Sequence, residues 1–308
     1  YEEIRVPTFE RSELYHRSVG EGTDVVQKET YDFSDKDGRA MTLRPEGTAG
    51  VSRAVIENSL YAGVMPLKLS YLLSCFRYEL PQAGRSREFY QFGVECFGAA
   101  RSACDAEVIL LADGIFKELG LSPRLEINSI GCPECRARYL EALKEYFSAC
   151  RDQLCETCRG RLEKNALRIL DCKNESCKAI SKDAPLITDY LCADCKTQFD
   201  EVKELLDAQN LVYTVNPRIV RGLDYYRGLV FEFIDESIGA QSTLCGGGRY
   251  DGLIRSLDGP DLPGIGFAMG LTRIILCLEQ KGEPVPAQKP DLYLASTDPE
   301  SAKAAFTL

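Results

Sequence analysis

Three things are scarce in this 308-residue chain: histidine, net positive charge and long apolar runs. The single histidine, His16, falls outside every motif described below, so no imidazole of the chain's own is expected in catalysis. Acidic residues outnumber basic ones by 47 to 37, a formal net charge of -10, which excludes affinity for nucleic acid driven by global attraction. An RNA substrate would have to be met by local clusters of arginine and lysine. No apolar run approaches the thickness of a bilayer, which excludes a membrane-spanning helix. Secretory features are lacking as well. The chain starts at Tyr1 without a methionine and stops at Leu308 inside what reads as a new strand and helix, so a fragment of a longer protein is expected.

Cysteine, by contrast, is plentiful, with 14 residues in a chain long enough for one large core and a second module. Large charged chains without secretory features usually keep their thiols reduced, and the spacing points away from a disulfide framework. Cys132/Cys135, Cys155/Cys158 and Cys192/Cys195 are CxxC pairs, and Cys172/Cys177 is a wider pair in the same middle third. Two such units brought together make a closed tetrathiolate zinc site; the alternative is reduced structural thiols, and which pair joins which is not deducible from spacing. Cys75, Cys96, Cys104, Cys245 and Cys277 lie in apolar context and read as small core residues.

The stretch from Arg221 to Gly252 organises the rest, running Arg-Gly-Leu-Asp-Tyr-Tyr, then a strand over Leu229 to Asp235, then Cys-Gly-Gly-Gly-Arg-Tyr-Asp-Gly. Period-two alternation would place Tyr226, Val230 and Glu232 on one pleat face and Tyr225, Leu229, Phe231 and Phe233 on the other. Gly246, Gly247 and Gly248 strip side chains from a piece of backbone, which suits a floor that a ligand approaches closely. An arginine, two tyrosines and bare backbone suit a small zwitterion with a hydrogen-bonding ring; a glycine-rich hairpin with buried tyrosines is the plainer reading.

Upstream, Glu46 and Thr48 fall at a junction between a strand and a helix beginning near Ala49. They could hold an ammonium group, or Thr48 could simply cap the helix. Leu67 to Cys75 alternates strictly and carries Arg77 and Glu79 in the same phase; the loop holds Gln82, Arg85 and Arg87, and the return strand Glu88 to Phe97 puts Gln91, Gly93 and Glu95 on one face. This is an antiparallel hairpin whose guanidinium groups suit phosphate, unless it is only a solvated charged hairpin. Asp105 to Leu119 reads as a helix stopped by Gly120, Leu125 to Ser129 as a strand, and Leu211 to Val215 as another. Pro263 to Gly270 is a small-residue strand entering a helix whose first turn holds Arg273, an unfavourable place for an unpaired cation and a good one beside a bound anion, or beside an acidic neighbour. Residues 283–290 read as a proline-bearing linker, and Asp291 to Ser296 as a new strand.

Taken together these residues resemble the class II aminoacyl-tRNA synthetases and, among them, the histidyl-tRNA synthetase family. Tyr1 to Glu21, Phe76-Arg77-Tyr78-Glu79 through Glu95, and Gly264 to Leu278 are similar to the three class motifs; Arg221 to Tyr226 and Gly246 to Gly252 are similar to the two more specific histidine motifs. The resemblance implies an α+β fold, a class II antiparallel sheet flanked by helices. Residues 1–129 and 211–282 would form a discontinuous catalytic domain, 130–210 a helical cysteine-rich insertion, and 291–308 the start of a truncated α/β anticodon-binding domain. It further implies that Glu46 and Thr48 bind the amino group of histidine, that Gln91, Glu95, Tyr226 and Tyr250 surround its imidazole with Tyr225 also in the histidine site, and that Arg77, Glu79, Arg85 and Arg273 bind ATP. Arg221 and Arg77 would carry catalysis at the α-phosphate, with magnesium on the ATP and any zinc purely structural. Gln82 and Arg87 lie where the tRNA acceptor end would arrive, although Leu80 stands where the family commonly has arginine and Thr272 where it often has an acid. A cytoplasmic homodimer acting on histidine, ATP and tRNA(His) follows; a non-catalytic, histidine-sensing regulatory subunit of ATP phosphoribosyltransferase is the rival that the same resemblance allows.

Overall fold

The computed structural model describes residues 1–20, 23, 25–82, 84–170, 172, 174–219, 222–239, 242–282 and 290–307. Two units separate, Tyr1–Cys277 and Leu278–Leu308. The strands are β1 (Glu2–Glu3), β2 (Phe9–Arg11), β3 (Tyr31–Ser34), β4 (Ala40–Leu43), β5 (Leu67–Phe76), β6 (Glu88–Phe97), β7 (Arg124–Ser129), β8 (Tyr213–Val215), β9 (Leu229–Ile234), β10 (Thr243–Arg249) and β11 (Gly264–Gly270). The α-helices are α1 (Ser12–Val19), α2 (Thr48–Glu57), α3 (Ser102–Glu118), α4 (Pro133–Ala149), α5 (Glu156–Lys164), α6 (Leu167–Leu170), α7 (Glu175–Ser181), α8 (Ala193–Ala208), α9 (Leu253–Ser256), α10 (Leu271–Gln280) and α11 (Pro299–Thr307).

An eight-stranded sheet in the order β1-β5-β6-β11-β10-β9-β7-β8 dominates the first unit, antiparallel except at its two edges, where β1 runs parallel to β5 and β8 to β7. A second sheet, β2-β4-β3, carries the chain into α2. The β5–β6 hairpin forms over the residues that alternation picks out, and its register, Leu67 against Phe97 through Phe76 against Glu88, buries Leu69, Tyr71, Leu73 and Cys75 on one face.

The two faces of the sheet are made different by one pattern in β11. Gly264, Gly266, Ala268 and Gly270 alternate with Ile265, Phe267 and Met269, and β10 adds Gly246 and Gly248 in matching register. The large residues are buried on the face that meets α3, where Phe116 and Phe233 pack with ring centres 5.1 Å apart. The small residues leave the other face as nearly bare backbone, and the cavity described below opens there. α3 begins at Ser102, three residues before the periodicity suggests, because Ser102, Cys104 and Asp105 are also buried. Asp105 is one partner of an ion pair that ties α3 to β10: Arg249 Nη2 lies 2.5 Å from its Oδ1, and the two side chains are only 4% and 5% exposed.

Between β7 and β8 the chain is helical from α4 to α8, with its own apolar core of Tyr139, Leu143, Phe147, Leu162, Ile169 and Ile187. In the second unit α11 follows residues that form no strand, so the strand expected over Asp291 to Ser296 is not made. Among the described residues no helix is long and apolar enough to cross a membrane.

Removing one member of the buried Arg249–Asp105 pair leaves a desolvated charge without its partner. Asp105→Ala is expected to cost about 3–5 kcal/mol, read as a lowered urea midpoint. A midpoint unchanged from the parent would show that Arg249 finds equivalent partners elsewhere.

Candidate active site

A cavity of about 310 Å³ opens on the small-residue face of the sheet. This lies at the lower end of the range typical of small-ligand sites. Its walls come from distant parts of the chain: Glu46 and Thr48 before and in α2, Arg77, Glu79, Arg85 and Gln91 on the hairpin, Gly222, Leu223, Tyr225 and Tyr226, Gly246 and Tyr250 around β10, and Gly266, Ala268, Gly270 and Arg273 across the β11–α10 junction. One part is built of hydroxyl and carboxyl groups, the other of guanidinium groups.

Glu46 is buried and receives the N–H groups of Thr48 (2.7 Å) and Ala49 (2.9 Å), so it caps the first turn of α2. Burial raises its pKa above the usual carboxylate range. Thr48 is thus not the cap; its hydroxyl donates instead to Glu95 Oε1 at 2.7 Å. Two tyrosines complete that arrangement, Tyr71 donating to Glu95 Oε1 at 3.1 Å and Tyr250 to Oε2 at 2.5 Å. Room for the cluster is made by glycine. A Cβ on Gly266 would collide with the Glu95 carboxylate, and one on Gly93 with the Tyr71 ring. Burial pushes the Glu95 carboxyl up to about 8, despite the hydroxyls that favour its charged form.

Tyr225 and Tyr226 both line the cavity, with ring centres 4.8 Å apart, and Tyr225 donates to Glu46 at 3.4 Å. The pleat parity that separated them does not apply. The strand starts only at Leu229, and the chain before it turns through Gly228 at φ +59°. Gln91 also lines the cavity and accepts from Cys75 Sγ at 3.3 Å.

Arg77 sits between the two groups, donating from Nε to the Pro45 carbonyl at 2.9 Å and lying over the Phe89 ring. Arg85 Nε is 2.5 Å from Glu79 Oε2, a charge contact whose angle falls short of a hydrogen bond. Arg273 is held by carbonyls rather than by an acid, Nε to Gly84 at 3.0 Å and Nη1 to Thr243 at 2.7 Å. Burial and the nearby Arg85 lower its pKa, the signature of a cation placed where an anion is wanted. Arg221 lies outside the described residues. Gln82 and Arg87 do not line the cavity; both are exposed, and Arg87 stacks on Tyr78 at 4.1 Å.

Sequence reasoning passed over Tyr71 and Glu232. Tyr71 shares the buried phase of β5 with its aliphatic neighbours and so looks like core; Glu232 lines the cavity opposite Gly246 in the β9–β10 register, and a lone carboxylate in an otherwise apolar strand was the available signal.

Away from the cavity, the cysteine pairs combine in a nested way. Cys132, Cys135, Cys192 and Cys195 form one group, and Cys155, Cys158, Cys172 and Cys177 a second, with the sulfurs of each group all within 4.8 Å of one another. Four thiolates around one zinc ion at ~2.3 Å stand about 3.8 Å apart, so both donor sets fit a tetrahedral ion.

Comparison with known proteins places this geometry. A family model described as histidyl-tRNA synthetase matches residues 1–274. The histidine–tRNA ligase of Caldanaerobacter subterraneus subsp. tengcongensis is 54% identical over all of this chain and 74% of its own length, and that of Clostridioides difficile is 51% identical over the same shares. The crystal structure of apo S. aureus histidyl-tRNA synthetase superposes with a TM-score of 0.75 at 37% identity, covering 100% of this chain and 73% of that one.

The raised pKa of Glu95 makes a prediction about stability. Between its usual 4.5 and about 8 the folded chain keeps a proton that the unfolded chain has released, so stability falls as pH rises through that window. The slope reaches at most about 1.4 kcal/mol per pH unit. Glu95→Gln should remove this contribution, so urea denaturation of parent and variant at pH 5 and pH 8 should give a difference that shifts in the variant's favour at the higher pH. A difference constant across the range would refute a buried neutral acid.

Proposed function

This chain belongs to the histidyl-tRNA synthetase family and is an aminoacyl-tRNA synthetase, and on that premise we propose how its cavity activates histidine with ATP and passes it to tRNA(His). The observation that carries the reading is a single cavity wall on which hydroxyl and carboxyl groups adjoin Arg77, Arg85 and Arg273. Histidine lies in the tyrosine-lined part. Its ammonium group is taken by the Glu46 carboxylate and Thr48, and its imidazole, with one donor and one acceptor nitrogen, by Gln91, Tyr225, Tyr226 and Tyr250. Glu95 acts from behind the surface: it fixes the hydroxyls of Thr48 and Tyr250, so a side chain without matching polar atoms leaves buried groups unpaired.

The histidine carboxylate is ionised at neutral pH and attacks the α-phosphorus of ATP directly; pyrophosphate leaves and histidyl-adenylate remains, and a hydroxyl of the tRNA's terminal ribose then attacks its carbonyl, so that the acyl–phosphate bond breaks and AMP leaves with the ester formed. No enzyme nucleophile is required. The chain's work is alignment and neutralisation of charge on the phosphoryl oxygens, by Arg77 and Arg221 at the α-phosphate and by Arg85 and Arg273 farther along the triphosphate. Glu79 and Glu232 are cavity carboxylates able to offer oxygens to the magnesium ion that travels with ATP and shields its charge. Gln82 and Arg87, exposed at the hairpin tip, meet the acceptor end. A homodimer in the cytoplasm, with residues 291–308 opening an anticodon-binding domain after the 283–290 linker, completes the reading. The eight paired cysteines hold two structural zinc ions.

Histidine-dependent ATP–pyrophosphate exchange by the full-length protein is the test. Exchange should require histidine, and Arg77→Ala should lower its kcat/KM by roughly 100-fold or more. Tight histidine binding without any exchange would instead indicate a histidine-sensing regulatory subunit. For the metal, elemental analysis of purified protein should give two zinc ions per chain, and only a trace would remove that part of the reading.

A further inference from the structure

The outer cysteine group, Cys132, Cys135, Cys192 and Cys195, sits at the root of the insertion, where its chain leaves the sheet after β7. Ile130 and Gly131 follow directly from β7 and pair with the segment behind the tyrosine motif: Ile130 N–H donates to the Gly228 carbonyl at 2.8 Å, and Gly228 N–H to the Gly131 carbonyl at 3.0 Å. The chain then turns into α4 through Cys132 and Cys135. Gly131 adopts φ +67°, and a Cβ there would collide with Cys135, so the turn is shaped around the thiol. Cys135 Sγ in turn accepts the N–H of Cys192 at 3.0 Å, bringing in the start of α8.

The residue after Cys135 reaches the catalytic wall. Arg136 is mostly buried in the first turn of α4, and its Nη2 lies 3.8 Å from Asp224 Oδ1. Asp224 precedes Tyr225 and Tyr226, is fastened through its own N–H to the Val19 carbonyl at 3.0 Å, and fills the space beside Gly20. The segment that holds the inner cysteine group is joined instead to Arg218, ahead of the tyrosine turn, whose Nη2 donates to the Lys182 and Ala184 carbonyls. The neighbouring helix α6 faces the same turn through Leu167 and Leu170, across a cavity of about 30 Å³ that Leu223 and Arg136 also line.

We propose that a metal ion in the outer tetrathiolate positions the turn carrying Tyr225 and Tyr226, acting through the Gly131–Gly228 backbone pairing and the Arg136–Asp224 contact, while the inner site maintains only the insertion. Arg136 is a positioning residue and touches no substrate. The inference rests on both cysteine groups holding zinc, and it extends that reading from fold maintenance to the affinity of the site for its amino acid.

The test uses full-length protein, elemental analysis, and KM and kcat from pyrophosphate exchange. Cys192→Ser/Cys195→Ser should contain one zinc ion and show a KM for histidine raised about 10-fold or more, with KM for ATP changed far less. Cys172→Ser/Cys177→Ser should also lose one ion, yet keep its KM for histidine within about 2-fold of the parent. Arg136→Ala preserves all eight thiols and so remains informative if the outer-site variant fails to fold. It should keep two zinc ions, raise KM for histidine about 3- to 10-fold with little change in kcat, and be largely rescued by Arg136→Lys. An unchanged KM for histidine in Arg136→Ala, or in an outer-site variant shown to have lost its ion, overturns the proposal. Equal losses in the inner-site variant overturn it too, by making the whole insertion responsible. A zinc-free parent protein instead defeats the metal reading itself, an outcome the metal count separates from the others.

Discussion

A carboxyl group enclosed beneath a sheet surface and addressed by three hydroxyls is the constraint around which the catalytic wall is built. Burying Glu95 carries a large desolvation cost, and the hydrogen bonds from Thr48, Tyr71 and Tyr250 offset only part of it, which is why the group retains its proton toward neutral pH. The arrangement orders its surroundings. Each hydroxyl belongs to a different element, so the one carboxyl fixes α2 against β5 and both against the end of β10. The tyrosine rings are held in turn by the apolar core of Val51, Val55, Leu69, Phe97 and Ile254.

The space for this group is a property of the backbone. In β11 every second residue is glycine or alanine, and the alternate positions hold Ile265, Phe267 and Met269. One strand thereby does two jobs that usually conflict: it packs large side chains against α3 and exposes unencumbered backbone to the cavity. Glycine weakens a strand's own preference for extended structure, and the deficit is made up by neighbours on both sides, since β11 is a central strand paired along its length with β6 and β10. The buried Arg249–Asp105 pair reinforces the same place by joining α3 to the end of β10.

This explains which features were legible in the sequence. The β5–β6 hairpin could be read because period-two alternation and burial coincide there, although the phase carried on to Arg77 and Glu79 outruns β5, which ends at Phe76. The glycine runs and the small-residue strand also declared themselves, since few roles other than close approach suit them. Tertiary geometry did not. The Glu95 hydrogen bonds join residues up to 155 positions apart, and no local pattern distinguishes Tyr71 from an ordinary core tyrosine. Thr48 looked like a helix cap because threonine often is one; the cap is Glu46, two residues earlier, which frees the hydroxyl for Glu95. Tyr225 was assigned to the wrong face because parity was extended back through Gly228, where the chain is turning. The carbonyls that hold Arg273 come from segments 30 and 189 residues away, so its environment could be inferred only as a need for a partner.

The pairing of the cysteines illustrates the same limit and its physical resolution. Adjacent pairs could close around ions in sequence order, Cys132/Cys135 with Cys155/Cys158 and Cys172/Cys177 with Cys192/Cys195; the fold instead joins the first pair to the last. Because β8 is parallel to β7, α8 has to run back along the sheet before β8 begins, which starts that helix, with Cys192 and Cys195, near the end of β7 and Cys132; the two middle pairs meet within the segment between. A metal held by these four thiols would tie the first turn of α4 to the first turn of α8 and so fix the orientation of α4. Orientation is also what the neighbouring turn requires, because Arg136 and Asp224 can approach only if the first turn of α4 points toward the tyrosines.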